Sequence, residues 1–259
     1  MYYQLFNDTK LYNFNNINHL DTLDNKSNIK LLFCYDYQLT ELPNLDEFNY
    51  LKELYCCFNK LTKLPLLPNS LIELHCYNNK LTELPKLPTN LKELYCSHNK
   101  LTELPQLPDS LTCLSCSNNK LTELSKLPIN LKNLSCNNNQ LNELPQLSIN
   151  LEYLNCYNNQ LTELPLLPER LFSLHCYNNQ LTELSQLPLN LKFITYYNNS
   201  KNLTKYIIHC KSLYSYKKYN EYKYINTLND LLNYTIKNYY YIGIIKYYDL
   251  KINLIKLYI

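Results

Sequence analysis

LKELYCCFNKLTKLPLLPNS, residues 51–70, returns with the same framework from Leu71, Leu91, Leu111, Leu131, Leu151 and Leu171. A slightly longer unit precedes it, with Ile29, Leu32, Cys34, Leu39 and Leu42 in the equivalent places, and a half unit, LKFITYYNNS, follows from Leu191. The chain therefore carries eight full units and a ninth strand. A unit this short cannot bury an apolar side alone. Stacked on its neighbours it buries a continuous row, so the period predicts a solenoid over residues 29–199.

One template reads every unit. In 71–90, Leu71, Leu74 and Cys76 point inward, and period-two alternation along a short strand near Glu73 to Cys76 sends His75 outward. Asn79 occupies the following turn, where its amide can bond backbone groups left unpaired. The same place holds Asn59, Asn99, Asn119, Asn139, Asn159, Asn179 and Asn199, and only Tyr37 in the first unit breaks the row. Leu81 and Leu84 turn back into the core, and Pro85 and Pro88 lead the chain along the outer side. Proline cannot enter a helix interior without losing a hydrogen bond, so that side should be extended. Ser125, Ser148 and Ser185 each replace one proline.

One glycine in 259 residues removes phosphate-binding loops, dinucleotide fingerprints and glycine-dependent nucleophile elbows, each of which needs backbone that a side chain would block. Charge is unevenly placed. Residues 1–199 carry 15 basic against 19 acidic side chains, whereas residues 200–259 carry 10 against 3. The basic segment fits either a solvated helical face or an anionic partner. Eight of the eleven cysteines, Cys34, Cys56, Cys76, Cys96, Cys116, Cys136, Cys156 and Cys176, hold one core position, where free cysteine acts as a small hydrophobe. Neighbours in parallel strands stand about 4.8 Å apart and side by side, whereas a disulfide wants Cβ atoms about 3.8 Å apart and turned together. A reduced ladder follows, and with it a reducing compartment, cytoplasm or nucleus. Cys57, Cys113 and Cys210 lie outside the ladder.

Between the constant positions, the outward columns vary along the concave face. The N-terminal zone is acidic and aromatic, with Glu53, Tyr55, Glu73, His75, Tyr77, Glu93 and Tyr95; the middle is small and polar. The C-terminal zone presents Tyr153, Tyr157, His175, Tyr177, Phe193 and Tyr197. Tyrosine offers large contact area with a polar end, so these residues point to a protein or peptide partner. The solenoid carries too little positive charge for nucleic acid. No cofactor or metal is expected: CxxC spacing is absent, and His75 and Cys76 project to opposite faces. Alternation exposes Cys57 and Cys113, but neither has a base positioned beside it, so a nonenzymatic scaffold is expected, the alternatives being an adaptor that recruits a host factor through the basic C-terminal segment or a purely structural repeat protein.

The flanks depart from the template. In residues 1–28, Phe14, Ile17, Leu20 and Leu23 recur at threes, which suits an N-terminal cap, helical or irregular, or a rudimentary repeat. Residues 200–259 read as a mainly helical C-terminal cap or tail: a short helix within 201–217, a second over 221–248 with Leu228, Leu231, Leu232, Ile236 and Tyr239 on one face, and an ambiguous end. MYYQLFNDTKLYNFNN lacks the basic start and apolar core of a signal peptide, and no run of 18 apolar residues exists.

The motif LxxLxCxxNxLTxLPxLPxx, as in LKELYCSHNKLTELPQLPDS from Leu91, resembles the repeat of bacterial leucine-rich-repeat effectors, the class of YopM and the IpaH ubiquitin ligases. The prolines at 85 and 88, or 105 and 108, carry the match, which covers about residues 29–199. The resemblance implies a leucine-rich-repeat solenoid, a curved rod with short parallel strands on the concave face and an extended convex side; with the helical C-terminal segment read from residues 200–259, the expected class is an α/β solenoid. The resemblance also implies a protein that holds host proteins inside host cells. The residues after the solenoid are too few for the ligase branch's catalytic domain, and Cys210 in KYIIHCKSLY does not resemble its active-site motif. The cysteine ladder and the Asn, Lys, Tyr and Ile bias resemble repeat proteins of giant DNA viruses of amoebae.

Overall fold

The computed structural model describes residues 1–6, 11–13, 16–184 and 187–200. The helices expected within residues 201–259 lie outside these, so the described fold is a β-solenoid without the α component of the expected class. Nine strands run parallel, one per unit: β3 (Ile29–Phe33), β4 (Glu53–Tyr55), β5 (Glu73–His75), β6 (Glu93–Tyr95), β7 (Cys113–Ser115), β8 (Asn133–Ser135), β9 (Tyr153–Asn155), β10 (Ser173–His175) and β11 (Phe193–Thr195). Register is constant, with Glu73 opposite Glu93 and His75 opposite Tyr95. The ladder runs past each strand: Cys76 N–H donates to Tyr95 O at 2.8 Å, and Asn78 N–H to Ser97 O at 3.0 Å.

Each unit delivers its leucines to one row. Leu71, Leu74, Cys76 and Leu81 are fully buried, and Leu84 nearly so. At about 25 cal/mol per Å² of apolar area removed from water, this repeated burial stabilises the rod. The structure adds a position that the template omitted. Leu87, Leu107, Leu127, Leu147 and Leu167, between or just after the prolines, are also core residues. An extended back alternates its side chains, so one of the residues between the prolines must face inward.

The asparagine row closes each turn. Asn119 Nδ2 donates to Cys96 O and Cys116 O at 3.1 and 3.0 Å, and its Oδ1 accepts from Leu101 N–H at 3.0 Å. One amide thus joins two units and satisfies backbone that the turn leaves open. The residue before it has a second task. Phe58, Asn78, His98, Asn118, Asn138, Asn158, Asn178 and Asn198 all have φ between 52° and 55°. Left-handed backbone is costly for most side chains and tolerated best by asparagine after glycine. Paired asparagines therefore build most of these turns in a chain with one glycine, with Phe58 and His98 in the other two.

β1 (Tyr2–Leu5) and β2 (Leu11–Asn13) form an antiparallel hairpin, and β1 also pairs antiparallel with β3, Tyr3 opposite Leu32. The hairpin occupies the strand edge at which the parallel array begins. Residues Ile17–Thr22 form a 3-10 helix with Ile17 and Leu20 buried. Three residues per turn is the period of that helix, which accounts for the spacing at threes; Phe14 lies outside the described residues.

Candidate functional site

The outward side chains of β3 to β11 line one continuous surface. In its N-terminal zone, Phe33, Tyr55, His75 and Tyr95 occupy one register position on successive strands. His75 stacks between Tyr55 and Tyr95, with centroids 4.3 and 4.4 Å away and planes within 17° of parallel. Phe33 continues the row, 5.3 Å from Tyr55. A second row runs beside it: Tyr35 meets Phe58 edge-on at 5.7 Å, and Phe58 meets Tyr77 at 5.3 Å. Phe33, Tyr35 and Phe58 were absent from the sequence-derived site. The first unit's register, and the left-handed turn at Phe58, bring them there.

Glu53, Glu73 and Glu93 form an adjoining column, all half-buried. Tyr55 Oη donates to Glu53 Oε2 and Glu73 Oε2, each at 3.4 Å, and Tyr95 Oη donates to Glu93 Oε2 at 2.9 Å. Burial, then the charges of Glu93 and Glu53, raises the Glu73 carboxyl above its usual value. Burial, then the Glu53 and Glu73 carboxylates, push the Tyr55 phenol up to about 12. Burial lowers His75, whose Nε2 is buried without a hydrogen-bond partner, 3.8 Å from Glu73 Oε2. A neutral imidazole at that distance forms no ion pair.

The middle zone is closed on itself. Ser97 Oγ and Ser115 Oγ share a hydrogen bond of 2.8 Å, Ser117 Oγ donates to Asn137 Oδ1 at 2.5 Å, and Ser97, Ser117 and Asn137 are buried. Ser97, Ser117 and Asn137 share with Cys57 and Tyr77 an outward column that alternation predicts to be exposed; its small side chains are instead buried and hydrogen-bonded. Cys57, in the same column, is likewise buried at 3% exposure, contrary to the alternation argument. Cys113 is half-buried, and its Sγ lies 3.5 Å from Tyr95 Oη. Burial raises both thiols, which makes them poor nucleophiles.

In the C-terminal zone Tyr157, Tyr177 and Tyr197 stack at 4.3 and 4.5 Å, with planes 10° and 14° apart. Their ring faces cover one another, which leaves edges and hydroxyls for a partner. Tyr153, 46% exposed, lies 5.7 Å from Phe172, which meets Phe193 at 5.1 Å and carries Lys192 Nζ 5.3 Å from its ring centre. His175 is bonded on both nitrogens, Nδ1 with Thr195 Oγ1 at 2.8 Å and Nε2 with Ser173 Oγ at 3.1 Å. The thirteen expected residues thus share one surface but fall into two aromatic ends separated by a closed polar middle.

Among the described residues, no group of three or more His, Cys, Asp or Glu side chains is placed to hold a metal ion. Among the same residues, no helix is long and apolar enough to cross a membrane.

Known proteins share this architecture. Residues 89–129 match a family of leucine-rich repeats in two copies, and residues 150–172 match a single leucine-rich repeat. No curated protein matches the sequence. Among solved structures, YopM from Yersinia enterocolitica WA-314 is 38% identical with a TM-score of 0.66, over 67% of this chain and 38% of that one. YopM from Yersinia pestis, described as a leucine-rich effector protein, is also 38% identical, with a TM-score of 0.59, over 66% of this chain and 55% of that one. The chain therefore spans well under two thirds of either. The leucine-rich-repeat domain of a Shigella effector is 30% identical, with a TM-score of 0.52, over 74% of this chain and 79% of that domain. With repeats of the same pattern, nine parallel strands in register and an extended back, this chain belongs to the leucine-rich-repeat family, related to the repeat proteins of bacterial effectors.

Proposed function

We propose that the chain is a nonenzymatic scaffold that binds a protein through the concave face of its solenoid. The observation that carries this reading is the division of labour along the sheet. Leucine, cysteine and asparagine are spent on the rod, while the outward positions change from unit to unit and gather aromatic side chains at both ends. Solenoids present extended curved surfaces of this kind to partners, and the effector relatives support a protein as the partner. The same likeness supports a host factor as the partner, and the free cysteines support a cytoplasmic or nuclear setting. A giant-virus origin rests on composition: 27 tyrosines and one glycine. The basic residues 200–259, if they recruit a factor of their own, make the chain an adaptor; their charge supports that second reading.

The test is affinity capture with three forms of the chain. The native form should retain a partner, a Tyr157→Ala/Tyr177→Ala/Tyr197→Ala form should lose it, and a Leu66→Ser/Leu166→Ser form, altered at exposed positions on the back, should keep it. Equal capture by the tyrosine variant, with unfolding unchanged, refutes the C-terminal zone as the contact. Loss in the back variant alone moves the contact to the convex side.

A further inference from the structure

We infer that the N-terminal zone of the concave face docks a polypeptide segment in which lysine or arginine is interspersed with apolar side chains. The inference rests on the scaffold reading and adds a second docking place with a partner chemistry of its own. Two properties of the surface select that occupant together. The first is an exposed aromatic shelf: Tyr35 is 41% and Phe58 44% exposed, and both belong to a ring network that continues without a break to Tyr95. Exposed contiguous rings favour a partner that removes them from water.

The second property is charge without an answer. The ion pair that a lysine or arginine makes among the described residues is Lys26 with Glu47, and no lysine or arginine among those residues lies within ion-pair distance of Glu53, Glu73 or Glu93. Like charges on adjacent strands repel, and the raised carboxyl of Glu73 records that repulsion together with its burial.

Other occupants fail on one count or the other. A neutral apolar segment covers the rings but desolvates three carboxylates with nothing to pair them. A purely polybasic segment answers the charge and leaves the rings wet. Nucleic acid is repelled by the carboxylates. A basic and apolar segment meets both, because guanidinium and ammonium groups also lie favourably over tyrosine rings. Spacing adds a further constraint. Carboxylates two strands apart stand about 10 Å apart, which is about three residues of extended peptide. Basic residues should therefore recur near that interval.

Selection of a random displayed peptide library on the full chain tests this. The recovered pool should be enriched in lysine or arginine about three apart with apolar neighbours. It should bind roughly tenfold more weakly to a Glu53→Gln/Glu73→Gln/Glu93→Gln chain, and similarly to a Tyr35→Ser/Phe58→Ser chain, both melting no lower than the native form. A pool without basic enrichment, a pool that binds either variant as tightly as the native chain, or no recovered pool overturns the inference. Self-association in sedimentation that the glutamine variant abolishes gives the shelf to a second copy and likewise overturns it. The Tyr157→Ala/Tyr177→Ala/Tyr197→Ala chain should keep the pool, so failure here leaves the C-terminal contact standing.

Discussion

Replacing Asn119 by alanine tests the framework at a single amide. Asn119 lies in the turn after β7, bridges to the unit of β6 and makes four hydrogen bonds: to Cys96 O, Cys116 O and Ser117 O at 3.1, 3.0 and 3.3 Å, and from Leu101 N–H at 3.0 Å. Each such bond is worth about 1 kcal/mol net, and a donor or acceptor left unsatisfied in the interior costs about 1–3 kcal/mol. Counting both effects without doubling them gives a loss on the order of 3 kcal/mol for Asn119→Ala. Urea unfolding followed by far-UV circular dichroism measures it. A slope of about 1–3 kcal/mol per molar turns that loss into a midpoint shift of at least about 1 M. Asn118→Ala is the internal control. Its side chain contacts only His98, at 3.2 Å, so its cost is mainly that of alanine in the left-handed region, about 1 kcal/mol. Asn118→Gly should recover that loss, because glycine has no Cβ. Repeats couple mainly to their neighbours, so Asn119→Ala should also divide the unfolding curve into two transitions. An Asn119→Ala chain within about 0.5 kcal/mol of native, or one more stable than Asn118→Ala, refutes the assigned role.

Further outcomes follow from the same geometry. Because the folded-state value of the Glu73 carboxyl is raised, ionised Glu73 destabilises the fold above that value and the penalty is relieved as pH falls through it. Glu73→Gln should thus raise the melting temperature at neutral pH, and the gain should vanish in mild acid; a gain independent of pH refutes the repulsion. Mass mapping after alkylation of the native chain should find the ladder cysteines and Cys57 protected and Cys113 labelled slowly, with all of them labelled in denaturant. Rapid native labelling of Cys57 contradicts its burial. Leu87→Ala should cost about 2–4 kcal/mol, whereas Leu66→Ala, at a position 66% exposed, should change stability by less than about 0.5 kcal/mol. Similar urea midpoints for the two variants contradict the inward orientation of Leu87.

The parts of the fold legible in the sequence are those repeated in it. Leu71, Leu74, Cys76 and Asn79 recur every twenty residues, and Pro85 does so in most units. One physical explanation, burial against an identical neighbour, covers all their copies. Leu87 recurs just as faithfully, yet its direction depends on how the extended back crosses the core. The position before each constant asparagine is asparagine in most units, but its left-handed backbone is a property of the turn as a whole. The N-terminal hairpin has no repeat to announce it, and it pairs with β3 because a strand edge is there to be filled.

By itself the sequence determined the solenoid, its parallel strands, the cysteine core and the face on which variable residues stand, because periodic burial fixes which side each residue takes. Only the tertiary structure decided how those variable residues meet. Alternation says that Ser97, Cys57 and Tyr77 point outward, but whether an outward side chain is open, covered or stacked depends on the size of its neighbours on adjacent strands. Cross-strand packing, at a separation of twenty residues, hides Cys57, closes the serine row and stacks His75 between two tyrosines.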